Sequence, residues 1–307
     1  MARILVTPRS VTKNGHPSLA KLEAAGHEIV FSTPGAQPSE EELVRLLPDC
    51  VGYLAGVEPV SARALEAAAR LKVISRNGTG IDNIDLAAAK RLDIAVLRAA
   101  GANARGVVEL TFGLMFSLAR WIPYSDAGIK KGGWDRRKGV EIIGRTLGVI
   151  GCGVIGRDVA RIATHFGMTV LGYDIAPDPA FHPSPAFRYA PLAEVLAQSD
   201  ILTLHSPSCG KPLLDASALA KTKRGVLVIN TARADLIDKA ALGLMLDNGH
   251  VAGAAFDVFD AEPPKDDPLI RHDRVVATPH IGGFTDESVD RAVDGAVDNL
   301  LAFLGAA

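Results

Sequence analysis

The chain has 307 residues, which at roughly 150 residues per domain suggests about two domains. Hydrophobic residues make up 48% and charged residues 22%, a balance that excludes wholesale disorder. Lys+Arg (33) and Asp+Glu (35) nearly cancel to a net charge of -2, so the chain lacks the basic surface that nucleic acid or an anionic membrane favours. Cys50, Cys152 and Cys209 are too few and too scattered for a disulfide framework or a zinc cluster, and no metal site is expected. The segment Met1–Pro8 has no secretory pattern, and no stretch reaches the roughly 18 apolar residues of a membrane span. The composition points to a cytoplasmic protein.

Short apolar runs at Ile4–Val6, Glu28–Phe31, Gly52–Ala55, Val73–Ser75 and Ala95–Leu97 read as buried strands. The stretches Ser18–Ala25, Glu40–Leu47, Ala62–Ala69 and Leu86–Arg91 read as the helices between them. This alternation predicts parallel strands with helical crossovers. A second series follows. Glu109–Arg120 reads as a long, mostly apolar helix, suited to core packing or a subunit contact. Strands are expected at Thr146–Ile150, Val170–Tyr173, Ile201–His205, Val226–Asn230, Gly253–Asp257 and Val275–Ala277, and Pro177–Pro191 reads as a loop. A last helix, Asp286–Leu304, carries one apolar stripe through Val289, Ala292, Val293, Ala296, Val297, Leu300, Leu301 and Leu304. Its stripe suits either sheet.

Gly151-Cys152-Gly153-Val154-Ile155-Gly156 is a G-x-G-x-x-G between the strand Thr146–Ile150 and the amphipathic stretch Arg157–Phe166. A second strand then ends at Asp174, eighteen residues after Gly156. Gly151 permits the tight turn, Gly153 lets the backbone approach a pyrophosphate, and Gly156 lets the helix pack close to the sheet. The helix start attracts the diphosphate. Asp174 is placed to accept from the adenosine ribose hydroxyls and to repel a 2′-phosphate, which predicts NAD over NADP. Cys152 stands near a helix N-terminus, a position that lowers a thiol pKa.

Three polar motifs follow expected strand ends: Asn230-Thr231-Ala232-Arg233, Asp257 to Glu262-Pro263-Pro264, and Thr278-Pro279-His280-Ile281-Gly282-Gly283. Ligands of doubly wound folds bind at such ends, and Arg233, Glu262 and His280 make a plausible acid–base set there. These motifs, with Ser75-Arg76-Asn77-Gly78-Thr79-Gly80 through Asp85, Gly101-Ala102-Asn103 and Gly133-Trp134, resemble the D-isomer-specific 2-hydroxyacid dehydrogenase family over essentially the whole chain. Within it, they resemble the phosphoglycerate dehydrogenase and glyoxylate/hydroxypyruvate reductase branch.

The resemblance implies two doubly wound α/β domains. A Rossmann dinucleotide-binding domain (99–286) is inserted into a flavodoxin-like substrate domain (1–98 and 287–307), to which the last helix returns. It implies NAD-dependent hydride transfer between nicotinamide and a small D-2-hydroxy or 2-oxo acid. 3-Phosphoglycerate, glycerate or hydroxypyruvate, and glyoxylate are the candidate substrates. His280 would be the general acid in reduction and the base in oxidation. Glu262 would hold its imidazole, and Arg233 would bind the substrate carboxylate and oxo group. Asp257 would bond the nicotinamide carboxamide. His205, Ser206 and Pro207 would line the adenosine side, with Thr231 and Ala232 beneath the nicotinamide. Val154, Ile155, Gly282 and Gly283 complete the cofactor set. Arg76, Asn77, Gly78 and Thr79 would meet the carboxylate end of the substrate. A homodimer is implied.

Two segments depart from the family form. Arg98-Ala99-Ala100 stands where many members carry Asn-Thr-Pro, and the loop after Pro207 looks shortened. Because the chain stops at Ala307, control through the C-terminal regulatory domain of longer phosphoglycerate dehydrogenases is not expected. Corepressors on this fold keep the same triad, so an NAD(H)-sensing interaction protein is the alternative reading, disfavoured by the lack of appended tails. Formate dehydrogenases carry glutamine at the position of Glu262, which argues against that activity.

Overall fold

Runs of Val, Ile and Leu become the strands of two parallel sheets, and the alanine-rich stretches between them become the crossover helices. The computed structural model describes residues 2–305, so Met1, Ala306 and Ala307 at the expected domain limits lie outside the described residues. The first elements are β1 (Ala2–Val6), α1 (Arg9–Asn14), α2 (Leu19–Ala24), β2 (His27–Phe31), α3 (Glu40–Leu46), β3 (Cys50–Ala55), α4 (Ala62–Ala67), β4 (Val73–Arg76), α5 (Leu86–Arg91) and β5 (Ala95–Arg98). Next come α6 (Ala104–Arg120), α7 (Ile122–Lys130), β6 (Thr146–Ile150), α8 (Val154–His165), β7 (Thr169–Tyr173), β8 (Phe187–Tyr189), α9 (Leu192–Gln198) and β9 (Ile201–Leu204). The chain continues through α10 (Ala216–Ala220), β10 (Val226–Asn230), α11 (Lys239–Asp247), β11 (Val251–Phe256), β12 (Val275–Ala277) and α12 (Asp286–Gly305).

Two compact units result. One runs to Asn103 and resumes at Thr285; the other is Ala104–Phe284. The first holds a five-stranded sheet in the order β2-β1-β3-β4-β5, the second a seven-stranded sheet in the order β12-β11-β10-β9-β6-β7-β8. All strand pairs are parallel. Central strands such as β9 and β10 are buried at every position, as expected where helices cover both faces.

The stripe of α12 packs on the first sheet. Val293, Ala296, Val297 and Leu300 are fully buried against Ile4, Val6, Leu54 and Val73. Each fully buried Val or Leu contributes about 1.5–3 kcal/mol relative to exposure. Gly52 on β3 leaves room for this contact, since a Cβ there would stand 3.4 Å from the Leu300 and Leu304 side chains.

Of the differences from the sequence expectation, four have a clear local reason. Helix α6 starts at Ala104 rather than Glu109, because Ala104, Val107 and Val108 extend the buried face of Phe112 and Met115. Helix α7 has no buried residue, so apolar periodicity gave no sign of it. The Pro177–Pro191 stretch contains β8, a three-residue edge strand on β7 with Phe187 buried. Strand β11 ends at Phe256, which leaves Asp257 beyond the ladder.

Candidate active site

In the second sheet the chain runs β6-β7-β8 one way and β9-β10-β11-β12 the other, so the strand order reverses between β6 and β9. Doubly wound sheets take ligands outside the carboxyl ends of the strands at this switch point. The glycine turn follows β6 there and faces His205-Ser206 after β9. A Cβ on Gly151 would stand 2.6 Å from Ser206 N and 2.7 Å from the His205 carbonyl carbon, and its φ is +94°. Only glycine meets both conditions. A Cβ on Gly156 would overlap the Gly151 carbonyl oxygen, so α8 packs on the turn itself. Gly153, the N-cap of α8, has open space where its Cβ would be. The bare, open backbone at a helix start is a cradle that fits a diphosphate. Val154 beside it is exposed, and Gly156 is buried.

Asp174, just past β7, accepts from Cys152 N (2.7 Å) and from Ala176 N (2.9 Å). It therefore fastens the glycine turn to the end of β7. A carboxylate has about four acceptor sites, so capacity for ribose hydroxyls is left. Replacing Asp174 with serine is expected to reduce the preference for NADH over NADPH at least about tenfold, by removing a charge that repels a 2′-phosphate. Comparing kcat/KM for the two cofactors checks it. The Cys152 thiol is pushed up to about 12, first by burial and then by the Asp174 charge. That overturns the expectation of a lowered thiol pKa: desolvation outweighs the helix terminus.

The three polar motifs end adjacent strands. Arg233 follows β10, Asp257 and Glu262 follow β11, and His280 follows β12, with neighbouring strands about 4.8 Å apart. Asn230, fully buried, shapes the first turn: its Oδ1 accepts from Ala232 N (3.0 Å) and its Nδ2 donates to Arg233 O (2.8 Å). Arg233 Nη1 donates to Ala232 O at 2.7 Å. Thr231 and Ala232 are buried, with Thr231 Oγ1 3.3 Å from Thr111 Oγ1 on α6.

His280 and Glu262 meet directly. His280 Nδ1 lies 2.8 Å from Glu262 Oε2 and 3.0 Å from Oε1, which leaves Nε2 as the ring nitrogen turned to other partners. Both side chains are partly exposed, at 54% and 39%. Glu262 Oε1 also accepts from Phe259 N at 3.2 Å, and Lys239 ties the same loop to α11 by pairing with Asp260 and Asp267. His280 has φ +53°, a left-handed conformation uncommon for a histidine.

Asp257 explains how that conformation is held. Its carboxylate is 1% exposed and accepts from Thr278 Oγ1 (2.6 Å), Ile281 N (2.8 Å) and Gly282 N (2.8 Å). The buried charge clamps the turn on both sides of His280. A Cβ on Gly282 would stand 3.0 Å from Asp257 Oδ2, so the clamp closes on bare backbone.

His205 is half-buried, and desolvation of its ring lowers its pKa to about 3, so the ring is neutral. Its Nε2 lies 3.0 Å from Thr203 Oγ1, and Ser206 Oγ donates to Ile150 O at 3.3 Å. In the first unit, Asn77 N donates to Ala55 O and Gly78 N to Arg76 O, both at 2.8 Å. Arg76 Nη1 donates to Asn77 O, and Thr79 Oγ1 to Asn103 Oδ1 at 2.8 Å. The positioning roles of Asn230, Thr278 and Thr111 were missed from the sequence. Asn230 and Thr278 read there as ordinary turn residues at the end of a strand, and Thr111 as one more position on the α6 helix.

The second sheet thus joins a nucleotide-cradling turn at its switch point to a histidine–carboxylate pair at the ends of its neighbouring strands. Residues 112–282 match the D-isomer specific 2-hydroxyacid dehydrogenase, NAD binding domain family. The chain is 42% identical over 258 residues to D-3-phosphoglycerate dehydrogenase of Rattus norvegicus, covering 82% of this chain and 48% of that protein. It is 39% identical over 274 residues to hydroxypyruvate reductase of Thermotoga maritima, covering 87% and 89%. A crystal structure of a protein from Thermus thermophilus matches with a TM-score of 0.88 at 33% identity, covering 99% of this chain and 97% of that one. The chain spans about half the length of the phosphoglycerate dehydrogenases it matches. It belongs to the D-isomer specific 2-hydroxyacid dehydrogenase family, and residues 112–282 are its NAD-binding domain.

Proposed function

We propose that this protein is an NAD-dependent D-2-hydroxyacid dehydrogenase acting on a small 2-hydroxy or 2-oxo acid. The observation that carries the reading is the His280–Glu262 pair, 2.8 Å apart, one strand away from the Arg233 loop. The chemistry NADH supplies is a hydride for the carbonyl carbon. His280, its Nδ1 turned to Glu262, gives a proton from Nε2 to the carbonyl oxygen, and Glu262 offsets the charge of the imidazolium. Arg233 binds the carboxylate and the oxo group through its planar fork and stabilises the negative charge that develops on oxygen. Asp257 holds the His280 turn, and any bond to the carboxamide uses its remaining acceptor site. Gly151, Gly153, Val154, Ile155 and Gly156 take the diphosphate, Asp174 the ribose, and His205, Ser206 and Pro207 the adenosine side. Thr231, Ala232 and Gly283 complete the cofactor set.

The first unit is the substrate domain in this reading, and its Arg76, Asn77, Gly78 and Thr79 serve the substrate carboxylate. NADH oxidation assayed with glyoxylate, hydroxypyruvate and 3-phosphohydroxypyruvate tests the proposal. Turnover with at least one is expected, and none with any 2-oxo acid would discard it. NADH-dependent capture of a partner without turnover would favour a sensor instead.

We further propose a cytoplasmic homodimer. The three cysteines are free, as in a reducing compartment. The stripe of α6 is spent on its own core, with Phe112, Leu114 and Met115 buried, so the subunit contact is assigned to the segment after it. Ile122, Ile129, Trp134, Val140 and Ile143 all stand exposed there. Sedimentation equilibrium is expected to show a dimer at micromolar concentration; a monomer throughout would refute the assignment.

A further inference from the structure

The residues that follow Asp174, Ile175 to Pro177, include no arginine or lysine, but the fold brings a cation to this loop from α8. Arg157 follows Gly156 in the first turn of α8, and its Nη1 donates to Asp178 Oδ2 at 2.6 Å. Asp178 stands four residues beyond Asp174 on the same loop. Asp174 is joined to the same helix start, since it accepts from Cys152 N. The two carboxylates therefore sit on one loop against one end of α8, and the farther of them holds the guanidinium. Burial raises the Cys152 thiol pKa most, the Asp174 charge raises it further and the Arg157 charge opposes both. Cation and ribose carboxylate thus lie within electrostatic reach of a single sulfur.

The loop is a fixed frame. Asp178 Oδ1 accepts from Ala180 N at 2.9 Å, and Phe181 N donates to Asp178 O at 3.1 Å. The Phe181 ring packs edge-on against Phe187 of β8, with centroids 5.0 Å apart, and Arg157 Cζ lies 5.9 Å from the Phe181 centroid. The Arg157 and Asp178 side chains are 35% and 40% exposed, and an ion pair this open adds little to stability. What it fixes is charge. The neighbouring acid on α8, Asp158, is taken by Arg161 at 2.9 Å. Beside the glycine turn stand two carboxylates, Asp174 and Asp178, and the Arg157 guanidinium, so negative charge is in excess there.

From this we infer that Asp178 is a second cofactor-specificity residue, which occupies the Arg157 guanidinium and so denies it to the 2′-phosphate of NADP. A phosphate monoester carries about -1.5 to -2 charge near neutral pH, and the arginine fork is a strong partner for it. Asp174 repels that phosphate, and Asp178 withholds the cation that would receive it. Removing Asp174 alone leaves the arginine engaged. The inference rests on the reading above that Asp174 takes the adenosine ribose.

The test is the Kd of NADH and of NADPH, measured by fluorescence titration of the full chain without substrate. The proteins compared are wild type, Asp174→Ser and Asp174→Ser with Asp178→Asn, the last two also with Arg157→Gln. Asparagine keeps the acceptor for Ala180 N and gives up the charge; Asp178→Ser takes its place if that variant does not fold. Adding Asp178→Asn to Asp174→Ser is expected to tighten NADPH about tenfold, with little change for NADH and a gain that shrinks as salt is raised. With Arg157→Gln present, the same step is expected to give no more than about threefold, the effect of removing one exposed negative charge. An equal gain without Arg157, or no gain with it, would overturn the inference and leave the ribose placement standing. An NADH-to-NADPH affinity ratio unmoved by Asp174→Ser would overturn that placement and this inference with it.

Discussion

Replacing His280 with glutamine is expected to lower kcat at least about a hundredfold, the lower end of what a positioned general acid–base contributes. Glutamine can still bond Glu262 but has no proton to give at neutral pH. The position carries a second demand, because its backbone is left-handed at φ +53°. A disturbed turn is therefore a second route to lost activity on substitution. Asparagine separates the two causes, since it tolerates this conformation better than other side chains. His280→Asn is expected to be as inactive as His280→Gln while binding NADH with unchanged affinity. Steady-state NADH oxidation and NADH fluorescence titration measure both. A near-wild-type rate in either variant would take His280 out of the mechanism.

For Arg233→Ala the expected loss is about a thousandfold in kcat/KM, the upper end for removing one donor to a developing oxyanion. The turn itself should survive, because Asn230 holds the backbone of residues 232 and 233 through its own amide. NADH affinity is therefore expected to stay within about threefold, since in the proposed reading the Arg233 guanidinium binds the substrate and not the cofactor. Arg233→Lys is expected to recover little, because a point charge cannot reproduce the two-pronged contact with carboxylate and oxo group. If lysine restored most of the rate, the fork geometry would be wrong and simple charge would suffice.

The glycine turn shows how far local chemistry reaches. Gly151, Gly153 and Gly156 serve backbone geometry, and backbone geometry is set by a few neighbouring residues, so a short sequence window contains the whole signal. The parallel strands were legible for a similar reason: a strand covered on both faces is apolar throughout, as in β9 and β10. Helix α7 and strand β8 were not legible, since one buries nothing and the other is a three-residue edge among prolines.

The three polar motifs were visible as residue types at strand ends, but the partners of their side chains were not. Asp257 read as a cofactor contact; in the folded chain its carboxylate is engaged by Thr278, Ile281 and Gly282. Glu58 carries no signal in the sequence. An isolated glutamate near a proline is usually a solvated loop residue, and only the meeting of β1 with β3 surrounds it with Thr7 and Tyr53.

Sequence alone thus determined the alternation of strand and helix, the nucleotide-cradling turn and the polar residue types that follow the strands of the second sheet. Each of these is written in spacing and residue chemistry over a short stretch of chain. Tertiary structure decided which sheet the stripe of α12 covers, what Asp257 clamps and what surrounds Glu58. Those outcomes depend on strands far apart in sequence becoming neighbours, and hydrophobic periodicity specifies that a face is buried without specifying what buries it.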